Sequence, residues 1–213
     1  MILAAGRGER MRPLTDTTPK PLLEVHGKPL IEYHIERLAT AGIKRIVINH
    51  AWLGEKIVQR IGNGSRFNVD IVYSPEETAL ETAGGIKQAL PQLCEHTASD
   101  AFLVVNGDVF TDFCFANMLE NLRDHGKGLT KELPLAHLIL VANPPHNPEG
   151  DFYLHGNRVC KIQYKDVSAE QRAPHKYTFS GIGVYRKALF DGLSQASQRL
   201  APVLVDAMAK NQV

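Results

Sequence analysis

The sequence predicts an α/β protein, a three-layer Rossmann-like and mostly parallel sheet with a small β-rich elaboration in its second half. Three observations lead there. Short apolar runs alternate with helically spaced apolar residues through the first half. A turn-rich stretch, Asn143-Pro144-Pro145-His146-Asn147-Pro148, ends that alternation. Beyond it, residues 151–154 and 158–164 flank His155-Gly156-Asn157 in the pattern of a β-hairpin. The 213 residues contain no repeat, low-complexity tract or linker. One domain is expected over 1–213, with a core at 1–142 and the elaboration at 143–185.

In chain order, residues 1–5 read as a short strand, followed by a glycine-rich turn. Pro13, Pro19 and Pro21 then forbid a regular helix through residue 21. Leu30, Tyr33, His34, Arg37 and Leu38 recur at helical spacing over 29–41, with Gly42 as the stop. Residues 45–49, 70–73 and 101–105 are apolar strands. Residues 52–61 form a helix closed by Gly62-Asn63-Gly64, and 84–90 a short one closed by Pro91. Residues 135–142 and 177–185 are further strands, while 187–193 and 201–210 are helical.

Composition narrows the function classes. A net charge of +1 gives no overall attraction to nucleic acid or to an anionic membrane. No apolar segment approaches the roughly 20 residues of a membrane span, and the first apolar run falls short of the roughly 7–15 of a signal peptide. Cys94, Cys114 and Cys160 lie far apart without a CxxC, which fits buried thiols in a reducing compartment. A soluble, cytoplasmic protein is expected. Nine histidines form no HxH or HxxxH pair, which argues against a histidine metal site.

The chemistry begins at Gly6-Arg7-Gly8-Glu9-Arg10. A dinucleotide fingerprint needs a third glycine where Met11 stands, and an acid about 20 residues on, where His26 and Gly27 stand. A P-loop needs Gly-Lys-Ser/Thr, which is missing. What remains is a proline-stiffened basic loop at a strand end. It carries Arg7, Arg10, Arg12 and Lys20 beside Glu9 and Asp16. Such a loop suits a triphosphate, whose charge must be neutralised at several oxygens; a solvated surface loop is the plain alternative. Asn106-Gly107-Asp108 places a carboxylate just past a buried strand, either a Mg²⁺ ligand or simply a turn. Leu80-Glu81-Thr82-Ala83-Gly84-Gly85 could be an ordinary helix start capped by Thr82.

Residues 3–33, LAAGRGERMRPLTDTTPKPLLEVHGKPLIEY, closely resemble the signature of the sugar-1-phosphate nucleotidyltransferases. The resemblance implies the nucleotide-diphospho-sugar transferase fold and assigns roles by position. Arg10 and Lys20 would bind the triphosphate, and the backbone of Leu3, Ala4 and Ala5 would pass the base and ribose. Gly6, Gly8 and Glu9 would belong to the same nucleotide site, and Asp108 would hold Mg²⁺, making Arg10, Lys20 and Asp108 the catalytic set. Residues 80–84 resemble the family's Leu-Gly-Thr-Ala-Gly segment, which puts Glu81 and Gly84 against the nucleotide. Glu81 stands where glycine is usual, and Ala79 where many uridylyl and thymidylyl members carry a base-reading glutamine. For the sugar, the resemblance suggests Asn106, Asp151 and Ser180, with a structural role equally open for Asp151 and Ser180. Lys165 matches a family lysine only loosely, because Tyr164 and Asp166 replace its neighbours.

The run Val47-Ile48-Asn49-His50-Ala51-Trp52-Leu53-Gly54, with residues 62–67 and 73–76, is similar to one group in the family. That group is the bacterial uridylyltransferases acting on N-acetylmuramate 1-phosphate in cell-wall recycling. Trp52 itself reads as packing. The resemblance implies transfer of UMP from UTP to that sugar phosphate, releasing pyrophosphate, with Mg²⁺ as cofactor. Mannose- or glucose-1-phosphate transfer from GTP or another triphosphate is the alternative within the class. A non-catalytic nucleotide-sugar-binding domain is the alternative outside it. No nucleic-acid or membrane partner is implied, and the oligomeric state stays open, a monomer being admissible. Family members hold Mg²⁺ with a second aspartate in a Trp-x-Asp-x-Gly-Thr-type segment that this sequence lacks. Asp191 and Asp206 have the wrong context, Asp206 being expected on an exposed helix face. The sequence is therefore expected to be trimmed at both ends.

Overall fold

The computed structural model describes residues 1–95, 100–125, 134–161, 176–194 and 196–213. The first half forms β1 (Ile2–Leu3), a one-turn helix α1 (Leu14–Thr17), and a hairpin of β2 (Glu24–Val25) and β3 (Lys28–Pro29). It continues through α2 (Leu30–Thr40), β4 (Arg45–His50), α3 (Gly54–Ile61), β5 (Asp70–Pro75), α4 (Glu81–Cys94) and β6 (Ala101–Asn106). The second half adds α5 (Phe115–His125), β7 (Ala136–Val141), β8 (Phe152–His155), β9 (Arg158–Cys160), β10 (Lys176–Arg186) and α6 (Leu200–Ala209).

Four parallel strands in the order β5-β4-β1-β6 make the centre of the main sheet. Their residues are apolar on both faces because helices cover both faces. Ile46, Ile48, Leu103 and Val105 point into one core with Ile31, Ile35 and Leu38 of α2 and Ile57 and Ile61 of α3. Val47, Phe102 and Val104 point the other way, against Ile86, Ala89 and Leu90 of α4 and Leu204 and Met208 of α6. The two-residue alternation of the strands thus meets the three-to-four-residue spacing of the helices, and three layers result. Buried Glu32 of α2 accepts from Arg60 Nε of α3 at 3.1 Å and from Arg66 Nη2 at 2.7 Å, tying the helices on that side together.

Beyond β6 the sheet turns antiparallel. The eleven-residue β10 pairs with β6, β7 and β8, and β8 pairs with β9. A register shift between Phe179 and Gly183 bulges β10 against β7. Gly156 supplies the positive φ of 62° in the β8–β9 turn, as the hairpin reading requires. That reading extended to residue 164, and residues 162–164 lie outside the described ones.

Several boundaries differ from expectation. Helix α4 starts at Glu81 and runs through Pro91 instead of ending there. Pro91 lies on the exposed face of the last turn, while Leu93 still packs on the core. Helix α3 starts at Gly54 because Leu53 takes a left-handed φ of 52°. Residues 187–190 form a 3-10 turn in place of a longer helix. Helix α5 and the β2–β3 hairpin had no counterpart in the sequence reading. The expectation of buried thiols holds for Cys160, whereas Cys94 is half-buried and Cys114 is exposed.

Ile48 is fully buried between α2 and α3. Ile48→Ala is expected to cost about 2–5 kcal/mol in urea unfolding at unchanged m, and exposed Val141→Ala less than about 0.5 kcal/mol.

Candidate active site

Strand β1 is flanked on both sides, with Leu3 in register with Asn49 of β4 and with Asn106 of β6. The loop after β1, the ends of β4 and β5 and the loop after β6 therefore share the C-terminal edge of the parallel strands, where open α/β sheets bind ligands.

The loop at 6–22 is folded around Thr15, which is fully buried. Its Oγ1 donates to the Gly8 carbonyl at 2.8 Å. Its own carbonyl accepts from Arg7 Nη1 at 2.8 Å and from Trp52 Nε1 at 3.2 Å. Gly8 has a φ of 70°, and a Cβ there would come within 2.9 Å of the Thr15 methyl. The Arg7 guanidinium lies 3.8 Å over the Trp52 ring. Arg7 Nη2 and Arg12 Nε share one oxygen of Asp16, at 3.2 and 2.8 Å, and Arg12 then Arg7 hold that carboxyl below its ordinary value. Lys56 Nζ donates to the Thr17 carbonyl at 2.6 Å. Trp52 is thus packing, as expected, but onto an arginine and a carbonyl of this loop.

The four cations are sorted by this arrangement. Arg7 and Arg12 are spent on the loop itself. Arg10 is exposed and has no bonded partner among the described residues. Lys20 crosses to the end of β6, where its Nζ lies 2.6 Å from Asp108 Oδ2. Gly107 permits that approach: its N–H donates to the Leu3 carbonyl at 2.9 Å, and a Cβ would stand 2.8 Å from the same oxygen. Behind Asp108, burial outweighs the attraction of its carboxylate and keeps His34 below its ordinary pKa.

Asp108 is about one-third exposed. Among the described residues, no three His, Cys, Asp or Glu side chains gather to hold a metal. One exposed carboxylate, with the remaining positions open to phosphate oxygens and water, fits the hard, incompletely protein-ligated Mg²⁺.

On the other side of β1 lies the start of α4. Leu80 N–H donates to Glu76 Oε2 at 2.8 Å, and the N–H groups of Ala83 and Gly84 donate to the Gln198 carbonyl at 2.9 and 3.2 Å. Leu80, not Thr82, takes the cap position, with no side-chain cap bond. Exposed Glu81 has a φ of 59°, the left-handed conformation that favours glycine, which is the residue usual there in the resembling proteins. Gly84 is buried, and a Cβ would stand 2.6 Å from the Ala196 carbonyl, so its lack of a side chain serves that backbone approach. Gly6, in contrast, is exposed and has open space in the Cβ direction. Glu9 is exposed, and Leu3 and Ala5 are partly buried at the sheet edge.

Of the residues expected at the sugar, Asn106 and Ser180 come together where β6 meets β10. A Cβ on Gly181 would collide with the Asn106 amide. Ser180 Oγ donates to the Ile139 carbonyl at 2.8 Å and accepts from Ile182 N–H at 3.2 Å, so it also stabilises the bulge. Asp151 lies further along, and its carboxylate accepts from Phe179 N–H at 2.8 Å and from Asn147 Nδ2 at 3.2 Å. Lys165 lies outside the described residues. Asp206 is on the exposed face of α6, as expected. Asn49 and Glu76, buried between β1 and α4, fall in runs that carry the family resemblance, but neither has a site role assigned from sequence.

Residues 1–135 match the nucleotidyl transferase family. The chain belongs to that family. It is 52% identical over 215 residues to the N-acetylmuramate alpha-1-phosphate uridylyltransferase of Neisseria meningitidis serogroup B, covering 100% of this chain and 86% of that protein. It is 33% identical to the mannose-1-phosphate guanylyltransferase of Mycobacterium tuberculosis over 62% of this chain and 36% of that one. The fold matches the inositol-1-phosphate CTP transferase of T. maritima with a TM-score of 0.69 and 22% identity, over 99% and 81% of the chains. A UDP-glucose pyrophosphorylase complexed with UDP-glucose matches with a TM-score of 0.67 and 15% identity, over 100% and 87%. Within this nucleotidyl transferase, no described helix is long and apolar enough to cross a membrane.

Arg7→Ala is expected to lose about 1 kcal/mol of stability and to shift the fluorescence of the single tryptophan, Trp52. Arg10→Ala is expected to stay within about 0.5 kcal/mol and leave the emission unchanged.

Proposed function

We propose that the chain transfers UMP from UTP to a sugar 1-phosphate, N-acetylmuramic acid 1-phosphate before others. The observation that carries the reading is the Lys20–Asp108 contact beside an uncommitted Arg10, on a loop that its other cations lock in place. The choice of base and sugar is supported by the full-length identity to the Neisseria enzyme of that name. A sugar-phosphate oxygen attacks the α-phosphorus of UTP, the bond to the bridging oxygen breaks, and pyrophosphate leaves. No nucleophile on the protein is needed, so positioning and charge neutralisation carry the catalysis.

Arg10 and Lys20 bind the outgoing phosphates and oppose the charge that develops on pyrophosphate. Mg²⁺ held at Asp108 supplies charge neutralisation at the phosphates when bound. Lys20 and Asp108 act as a latch: the triphosphate takes Lys20 Nζ from the carboxylate, which is then free for the cation. Leu3 to Ala5 and residues 80–84 lie along the base and ribose, and Asn106 and Ser180 along the sugar. We place the protein in the cytoplasm, where UTP is made, consistent with free thiols at Cys114 and Cys160. Ala79 supports a second reading, another base with mannose or glucose 1-phosphate, because it cannot read a base edge.

Pyrophosphate release across a panel of triphosphates and sugar phosphates tests the assignment. UTP with N-acetylmuramic acid 1-phosphate is expected to be fastest, and activity is expected to vanish with EDTA and return with Mg²⁺. Lys20→Ala and Arg10→Ala are expected to lose more than about 10²-fold in kcat/KM while remaining folded. Near-wild-type release by either variant refutes the roles given to them, and UTP binding without turnover by the wild type favours a binding domain.

A further inference from the structure

Asn49 and Glu76 are 3% and 6% exposed, sit at the ends of the paired strands β4 and β5, and touch no residue of the proposed phosphate site. Asn49 Oδ1 accepts from Ala4 N–H at 3.0 Å, and Asn49 Nδ2 donates to Glu76 Oε1 at 2.7 Å. Glu76 Oε2 accepts from Leu80 N–H at 2.8 Å. Gly85 makes the room, since a Cβ there would lie 2.5 Å from Glu76 Oε1 and 2.9 Å from Asn49 Nδ2. Glu76 N–H in turn donates to the His50 carbonyl at 2.8 Å, which anchors the residue to β4.

We propose that Asn49 and Glu76 are positioning residues that set the spacing between the two backbone walls of the nucleotide site, Leu3–Ala5 and the Leu80 turn. The inference rests on the reading that these two segments flank the nucleotide. Both ends of the relay are backbone N–H groups of those walls, so its length fixes their separation. Burying a carboxylate with no described ion pair is costly, and a merely structural filler would be apolar.

The relay has a direction. Both end groups are donors, so each needs an acceptor, and the central bond must run from residue 49 to residue 76. A glutamine at 76 puts an NH₂ against either the Asn49 NH₂ or the Leu80 N–H. Turning Asn49 over only moves the clash to Ala4 N–H. An aspartate at 49 puts a carboxylate oxygen against Glu76 Oε1. Combining the two changes satisfies all three bonds again, with the central one reversed and the net charge unchanged.

The test is a swap of Asn49→Asp and Glu76→Gln, singly and together, read by UTP and sugar-phosphate kinetics with thermal unfolding as control. Each single variant is expected to raise KM for UTP about tenfold or more, the scale of one unsatisfied buried hydrogen bond. KM for the sugar phosphate is expected to hold, and the double variant to return KM for UTP to within about threefold of wild type. Lowered melting temperatures with unmoved KM for UTP mean ordinary core packing and overturn the inference alone. A double variant no better than the singles, or unfolded, also overturns it. Should a single variant not fold, the double decides: wild-type KM supports the relay and a raised one overturns it. Wild-type protein that binds no nucleoside triphosphate removes the functional reading and the relay together.

Discussion

The contact of Lys20 with Asp108 is the point on which the site depends. It joins two segments 88 residues apart that share no strand, one following β1 and the other following β6. The strands themselves are adjacent, so the sheet delivers both loops to one edge, and Gly107 lets them close. A lysine and a carboxylate at 2.6 Å satisfy one another where both are partly withdrawn from water. A triphosphate with a divalent cation offers each partner a replacement of the correct sign, so the pair can be exchanged without leaving either charge bare.

Such an exchange demands that the lysine stay in place while its partner changes, and the rest of the loop supplies that. Thr15, Trp52, Arg7, Arg12 and Asp16 form one connected set of bonds within and beneath the loop. One carboxylate, Asp16, offsets one of the two guanidinium charges in that set. Of four cations that look alike in sequence, Arg7 and Arg12 thus hold the loop, and Arg10 and Lys20 are the two proposed to bind phosphate. On the opposite wall the anchored groups are backbone N–H donors. Backbone N–H groups at 80, 83 and 84 are tied down by Glu76 and by the Gln198 carbonyl, which holds the start of α4 against the segment leading into α6.

The parallel core was legible because its strands are apolar on both faces, so each run declared itself without help from its neighbours. The β2–β3 hairpin was not, since two residues per strand carry no period and its turn rests on a left-handed His26. Helix α5 was diluted by polar residues around Phe115 and Met118, and Pro91 counts as a breaker in sequence while lying harmlessly on a solvent face. In the candidate site, the motifs single out Lys20 and Asp108, and the structure brings the two together. The resemblance singles out Arg10 from Arg7 and Arg12, and the structure adds a physical difference: those two bind Asp16 and Arg10 does not. Asn49 and Glu76 became visible only through the register of β4 on β5, which no single stretch encodes. Glu81 shows the converse, its positive φ accounting for the glycine that the family prefers at that position.

The latch can be tested by its sign. UTP binding to wild type and to Asp108→Asn is measured by calorimetry, with and without Mg²⁺. Without the cation, Asp108→Asn frees Lys20 and removes a charge that repels the phosphates, so UTP is expected to bind more tightly than to wild type. With the cation present the order is expected to reverse. Weaker binding by the same factor in both conditions would contradict the exchange of Lys20 between carboxylate and phosphate, and with it the account of the site.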